Sequence, residues 1–295
     1  MTPLISVIVN CHNGEKYLEK CILSIIKQKY QNLEIVFFDN FSSDKSKEII
    51  KKFNDEKIKY FYSDVKLSLY KARNEAIKKS SGSLIAFLDV DDWWDQNYLS
   101  TKENFFINKK YDYFYSNVLK YFEKKNHYNK YKKFNFPEGI IYKFLAKDYF
   151  IIISGLIIRK EILEKESYFN ETYNIIGDYD LIMKISKYAI AKGFDEPLVT
   201  YRVHEKNFSK LNQKMYFEEY KDWFEKQSLR YDKNFQEYKR YFLSNLTKLE
   251  IIYLLYQRRT FSLLIKIIRI PNLVFKLKFL LAFFLPSKFI NFFRK

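Results

Sequence analysis

The stretch Ser83-Leu84-Ile85-Ala86-Phe87-Leu88-Asp89-Val90-Asp91-Asp92-Trp93-Trp94 decides how the rest of the chain is read. Its apolar half is too short for a helix and follows a Ser80-Ser81-Gly82 turn, so it predicts a buried strand. Three carboxylates close that strand. Acids packed this tightly repel one another and lose solvation, which a fold tolerates when a cation neutralises them. A divalent ion carrying phosphate oxygens meets that need. The competing reading is a solvated loop in which Asp91 or Asp92 caps the next helix, and capping accounts for one acid, not three.

Working outward, Ile5–Val9 reads as a first strand, followed by a helix over Glu15–Lys29 with Leu18, Cys21, Ile22, Ile25 and Ile26 on one face. Leu33–Phe38 is a second strand ending in Asp39-Asn40. Ser42 or Ser43 is expected to cap a helix running to Phe53. A strand at Ile58–Tyr62 and a helix over Ser68–Lys79 complete an alternation that predicts an α/β fold with a mostly parallel central sheet. Ligands of such sheets bind beyond the carboxyl ends of the strands, the edge where Asp39 and the Asp89–Asp92 cluster fall. Neither G-x-G-x-x-G nor G-x-x-x-x-G-K-[ST] occurs, so phosphate must be held another way.

Further on, Trp93–Lys110 reads as a helix, Tyr111–Phe122 as an aromatic strand and Lys124–Lys133 as a polar loop. Phe150–Ile158 reads as a strand interrupted by Ser154-Gly155, a helix follows Gly177-Asp178-Tyr179-Asp180, and Glu196–His204 reads as an edge strand. From Asn212 the pattern is helical and aromatic.

The net charge is +17, carried by 43 Lys and nine Arg. So few arginines argue against a surface that reads nucleic acid, and no nucleic-acid partner is expected. Nine basic residues and no acid lie from Ile251 onward. There, Phe261–Lys295 mixes Leu, Ile and Phe with Lys and Arg and is broken by Pro271 and Pro286. That composition suits a membrane interface, with a helix packed on the catalytic domain or on a dimer partner as the alternative. The apolar run Phe279–Leu285 is far below the roughly 20 residues of a spanning helix. Two cysteines, Cys11 and Cys21, make no disulfide framework, and no signal peptide is read, so a cytoplasmic setting is expected.

Five motifs in order resemble those of the inverting glycosyltransferases of family 2, over roughly Ile5–Ser209. They are Ser6-Val7-Ile8-Val9-Asn10-Cys11-His12-Asn13, the Glu34–Asp44 strand and loop, Ala72-Arg73-Asn74, Leu88-Asp89-Val90-Asp91-Asp92, and Gly177-Asp178-Tyr179-Asp180-Leu181. The resemblance implies a GT-A fold with a C-terminal helical extension. It implies a catalytic domain over 1–210, split into a nucleotide-sugar half (1–110) and an acceptor half (111–210), with a basic helical region over 211–295. Three departures stand out: Asn10 replaces a usual Pro, Phe41 a usual Gly, and Gly177 a usual Glu. The last keeps the Asp beside it but removes a neighbour placed to help position it.

By the same resemblance, Asp178 is the general base, and Asn13, Asp39, Arg73, Asp89 and Asp91 bind the nucleotide sugar. Asp91, Asp92 and His204 are candidates to hold Mn²⁺ or Mg²⁺; one acid of the cluster binds the ion while another contacts ribose, and the sequence does not say which. Asp180 is read as a helix cap or structural contact, and Trp93 and Trp94 as a core anchor and a wall of the acceptor site. The implied donor is a UDP-sugar. The implied acceptor is a lipid-linked surface glycan precursor, reached from the inner face of the cytoplasmic membrane. The rival readings are a catalytically inactive carbohydrate-binding or scaffold protein of the same fold, which Gly177 alone supports, and a polyanion-binding module.

Overall fold

The computed structural model describes residues 2–132, 135–257, 261–268 and 273–284. The chain divides into two compact units between Glu205 and Lys206. The first begins as the alternation predicts: β1 (Ile5–Cys11), α1 (Leu18–Ile26), β2 (Leu33–Asn40), α2 (Ser46–Lys52), β3 (Ile58–Ser63), α3 (Leu69–Lys78) and β4 (Leu84–Phe87). Every residue of β2 and β4 is buried, the signature of strands covered on both faces. On α1 the buried positions Leu18, Cys21, Ile22 and Ile25 follow helical spacing and join the core formed by these strands.

β1 pairs in parallel with β2 on one side and β4 on the other, and β3 extends the sheet beyond β2. The chain therefore winds outward and returns across β1, creating a switch point between β1 and β4. The loops after β1, β2 and β4 all leave from the same edge.

The second half of this unit adds β5 (Trp93–Trp94), α4 (Glu103–Ile107), β6 (Tyr113–Phe122), β7 (His127–Lys130), α5 (Tyr142–Lys147), β8 (Leu156–Arg159), α6 (Lys160–Lys165), α7 (Gly177–Ile185) and β9 (Ala191–Val203). The sheet order is β3-β2-β1-β4-β8-β6-β9-β5, with β7 on β6. β8 is antiparallel to both β4 and β6, whereas β6 and β9 run parallel.

Several expectations are corrected here. Trp93–Lys110 is not one helix: Trp93 and Trp94 pair with Thr200 and Val199 as a strand, and the Trp94 indole donates to the Ser154 carbonyl at 2.7 Å. Only Glu103–Ile107 is α-helical within that stretch. The polar loop Lys124–Lys133 contains β7, turned back onto β6 at Asn126, whose φ is +44°. The strand expected from Phe150 begins at Leu156, because Ile153–Gly155 forms a 3₁₀ turn. β9 is no edge strand, since it lies between β6 and β5. Its Pro197, which has no N–H to give, falls in the register break between Phe194 and Val199. Ser42 and Ser43 do not cap α2, which starts at Ser46 without a side-chain cap.

The second unit is helical: α8 (Phe208–Leu211), α9 (Gln213–Leu229), α10 (Lys233–Gln257), α11 (Phe261–Ile268) and α12 (Leu273–Phe284). Ile251, Leu255, Leu263, Ile267, Phe279 and Ala282 form one buried cluster within it. Arg258, Arg259, Arg269, Pro271, Pro286, Lys288, Arg294 and Lys295, named above for the basic segment, lie outside the described residues.

Candidate active site

The β4 strand delivers its three acids to the switch-point edge, where carboxylate oxygens of Asp89, Asp91 and Asp92 lie within 4.8 Å of one another. Each meets a different partner. Asp89 Oδ1 forms an ion pair with the buried guanidinium of Arg73 on α3. Asp91 Oδ2 is 2.8 Å from His204 Nε2, just past the end of β9. Asp92 is buried, and both its oxygens take protein donors: the Ser154 hydroxyl at 2.5 Å and the Arg202 backbone N–H at 2.8 Å. Neither Asp91 nor Asp92 caps a helix.

Burial and mutual repulsion push Asp92 well above the ordinary carboxylate range. Burial also raises Asp89, against the pull of Arg73. An oxygen-rich donor set with one imidazole, in a cluster short of positive charge, fits a hard divalent cation such as Mg²⁺ or Mn²⁺. Asp92 would have to give up a protein hydrogen bond to join it. Asp91 and His204 already lie 2.8 Å apart, so an imidazole and a carboxylate oxygen stand side by side there.

The residues expected to touch nucleotide also serve the loops around the crevice. Asn13, with φ +55°, joins the β1–α1 and β2–α2 loops: its N–H donates to Ser42 Oγ at 3.0 Å and its Oδ1 accepts from Ser43 N–H at 2.8 Å. Asp39 is fully buried at the end of β2, where Oδ1 accepts from Ser42 N–H at 2.9 Å and Oδ2 from the Tyr60 hydroxyl at 3.1 Å. Phe41, where the resemblance expects Gly, takes φ +63°, a left-handed geometry that favours Gly.

Asp178 stands in the first turn of α7, and its Oδ1 accepts from the Tyr70 hydroxyl of α3 at 2.7 Å. Burial raises its pKa, opposed by that hydroxyl and by Arg73. The Arg73 guanidinium lies 5.1 Å from the Tyr70 ring centre. One helix, α3, thus connects Asp178 to the acid cluster through Tyr70 and Arg73. Asp180 accepts from Lys184 at 2.7 Å and is a structural contact. Trp94 is the buried anchor, while the half-buried Trp93 lies 4.7 Å from Arg202.

Tyr70, Ser154 and Arg202 were missed as site residues. Arg202 donates Nε to the Asp91 carbonyl at 2.9 Å and packs against Tyr17, Trp93 and Tyr121. A signal for it existed: Arg202 and His204 are two apart in the stretch read as a strand, a spacing that puts both on one face. Ser154 was visible only as an interruption. Nothing near Tyr70 in the sequence pointed to a residue 108 positions away.

A mixed sheet with a parallel amino-terminal half, a switch-point crevice and a metal-capable acid cluster at a strand end together define a GT-A type α/β protein. The sequence profile of glycosyl transferase family 2 matches residues 6–167, more than half of the chain, and the chain belongs to that family. An uncharacterized glycosyltransferase of Haemophilus influenzae is 39% identical over 107 residues, which are 36% of this chain and 43% of that protein. The Escherichia coli UDP-Glc:alpha-D-GlcNAc-diphosphoundecaprenol beta-1,3-glucosyltransferase WfgD is 31% identical over 165 residues, 56% of this chain and 64% of that one. The chain thus spans less than two thirds of either relative. The mannosyltransferase PcManGT of Pyrobaculum calidifontis, solved with GDP-Man and Mn²⁺, shares the fold at a TM-score of 0.64 and 12% identity, covering 100% of this chain and 89% of that one.

Proposed function

We propose that this protein is a metal-dependent inverting glycosyltransferase, which moves a sugar from a nucleotide-diphosphate donor, UDP-linked, to a hydroxyl of a lipid-linked glycan precursor. The observation that carries this reading is the α3 connection, in which one helix supplies Tyr70 to hydrogen-bond Asp178 and Arg73 to pair with Asp89 of the acid cluster. A lone carboxylate on α7 joined through one helix to a cation-seeking cluster suits a reaction that removes one proton and releases an anion. The name of the WfgD relative, a UDP-glucose enzyme acting on a diphospholipid-linked sugar, supports the donor and acceptor class.

In this mechanism the acceptor hydroxyl attacks C1 of the donor sugar from the face opposite the diphosphate. Asp178 takes the hydroxyl proton as the new C1–O bond forms. The bond from C1 to the diphosphate oxygen breaks, and that oxygen keeps the electron pair. A divalent ion held by Asp91 and His204 would supply charge neutralisation for the departing diphosphate. Asp89, fixed by Arg73, is then the ribose contact, and Asp39 and Asn13 shape the loops on the nucleotide side.

The test is a thermal-shift titration with UDP-sugars and Mn²⁺, since a ligand that binds only the folded state raises its melting temperature. A UDP-sugar shift that requires Mn²⁺ and is lost in Asp91→Ala is the expected result. Equal shifts in wild type and variant overturn the metal assignment.

Membrane contact is part of the proposal. On α12 the exposed residues Val274, Leu277, Leu281 and Phe284 follow helical spacing away from the buried Phe279 and Ala282, and Lys276 and Lys278 lie on the same helix. An exposed apolar stripe with lysines on the same helix would suit a membrane interface. No helix among the described residues is long and apolar enough to cross a membrane. Co-flotation with anionic vesicles is expected, and is expected to fall in Leu277→Glu/Leu281→Glu; unchanged flotation in that variant removes α12 as the contact.

A further inference from the structure

The position where the family resemblance expects Glu is occupied by Gly177, and the structure gives that glycine a neighbour. A Cβ built there would lie 2.4 Å from Cδ2 and 2.6 Å from Cε2 and Cγ of Tyr70, far inside van der Waals contact with the aromatic ring. No side chain fits at 177 while that ring stays in place. The ring has little room to retreat. Tyr70 is 2% exposed, packs on Phe169 at 5.2 Å between ring centres and has the Arg73 guanidinium 5.1 Å from its own. Its hydroxyl lies between two acceptors, the Ile175 carbonyl at 3.2 Å and Asp178 Oδ1 at 2.7 Å.

We infer that Tyr70 is the positioning residue for Asp178, taking over the space and the orienting role left open at 177, and that Gly177 is required to admit its ring. This rests on the reading of Asp178 as the base. The exchange alters the chemistry beside the base. A glutamate adjoining Asp178 would set a like charge beside it, whereas a phenol donates a hydrogen bond to the ionised carboxylate and favours that form. The charged and titratable groups acting on Asp178 are Tyr70 and Arg73 from α3 and Asp89 from the loop after β4. Of these, Tyr70 makes a direct hydrogen bond to it.

Four variants test the inference in full-length protein, with kcat, donor KM, the pH profile of kcat and a thermal melt read for each. Tyr70→Phe keeps the ring and removes the donor. It is expected to lower kcat by about 10-fold to 100-fold, the effect of losing one hydrogen bond to a charged group, with donor KM unchanged. Without the phenol the carboxylate holds its proton to higher pH, so the acid limb moves upward. Gly177→Glu is expected to lose activity because its Cβ meets the ring, and Tyr70→Ser/Gly177→Glu, which clears that space, to be more active than Gly177→Glu alone. Asp178→Asn separates the two readings. If it retains wild-type turnover, the base assignment falls and the inference with it. If it is inactive while Tyr70→Phe keeps the wild-type kcat and acid limb, only the inference falls. Should Tyr70→Phe fail to fold, the Gly177 pair decides, and a double variant no better than Gly177→Glu overturns the pairing.

Discussion

The two acidic places that α3 touches handle negative charge in opposite ways. At the end of β4, Asp89, Asp91 and Asp92 crowd together, and cationic or hydrogen-bonding partners from α3, β9 and the turn before β8 hold them apart. At the start of α7, Asp178 meets a neutral phenol at 2.7 Å. Three mutually repelling acids gain most from a polyvalent cation, while a half-buried carboxylate held by a phenol, with the Arg73 charge near it, can still exchange a proton. On the proposed function, the crowded acids would bind an anion through a metal and Asp178 would take the proton.

The sharpest way to break this contrast is to remove the charge on each side in turn. Asp178→Asn is expected to lower kcat by about 100-fold to 10,000-fold, the range of a general base, while the Mn²⁺-dependent thermal shift with UDP-sugar persists. A variant that loses donor binding as well would place Asp178 in the binding machinery and erase the distinction. Next in size is Asp92→Ala, whose effect is on stability. It strands two donors, the buried Ser154 hydroxyl and the Arg202 N–H. Each stranded buried group costs about 1–3 kcal/mol. The melting temperature is expected to fall by several degrees without ligand, and an unchanged melt would return Asp92 to the list of metal ligands. Ser154→Ala, which removes one partner of the same carboxylate, is expected to give a smaller fall in the same direction.

What could be read from the sequence follows from how far apart the interacting residues lie. The first four strands were legible because each is a short apolar run bounded by turn residues, and the acids of the cluster adjoin one another. Asp178 stood out through its neighbours in Gly177–Leu181. Trp93–Lys110 misled because local periodicity favoured a helix while pairing of Trp93 with Thr200, 107 residues on, imposed a strand. The partners that fix the acids were hidden for the same reason: Arg202 lies 110 residues from Asp92, and Ser154 62 residues from it. The register break at Pro197 shows the opposite case, a single residue whose missing N–H can be recognised without knowing its partner strand.

Arg202 bears on the order in which the protein matures. Its main chain grips Asp92, its side chain reaches the Asp91 carbonyl, and its guanidinium is wedged among Tyr17, Trp93 and Tyr121. All of this comes from the last strand of the first unit, so during synthesis the acids emerge from the ribosome more than a hundred residues before the arginine that shapes their loop. A nascent chain can assemble its parallel strands early, but its acid loop takes on its final shape only when β9 arrives.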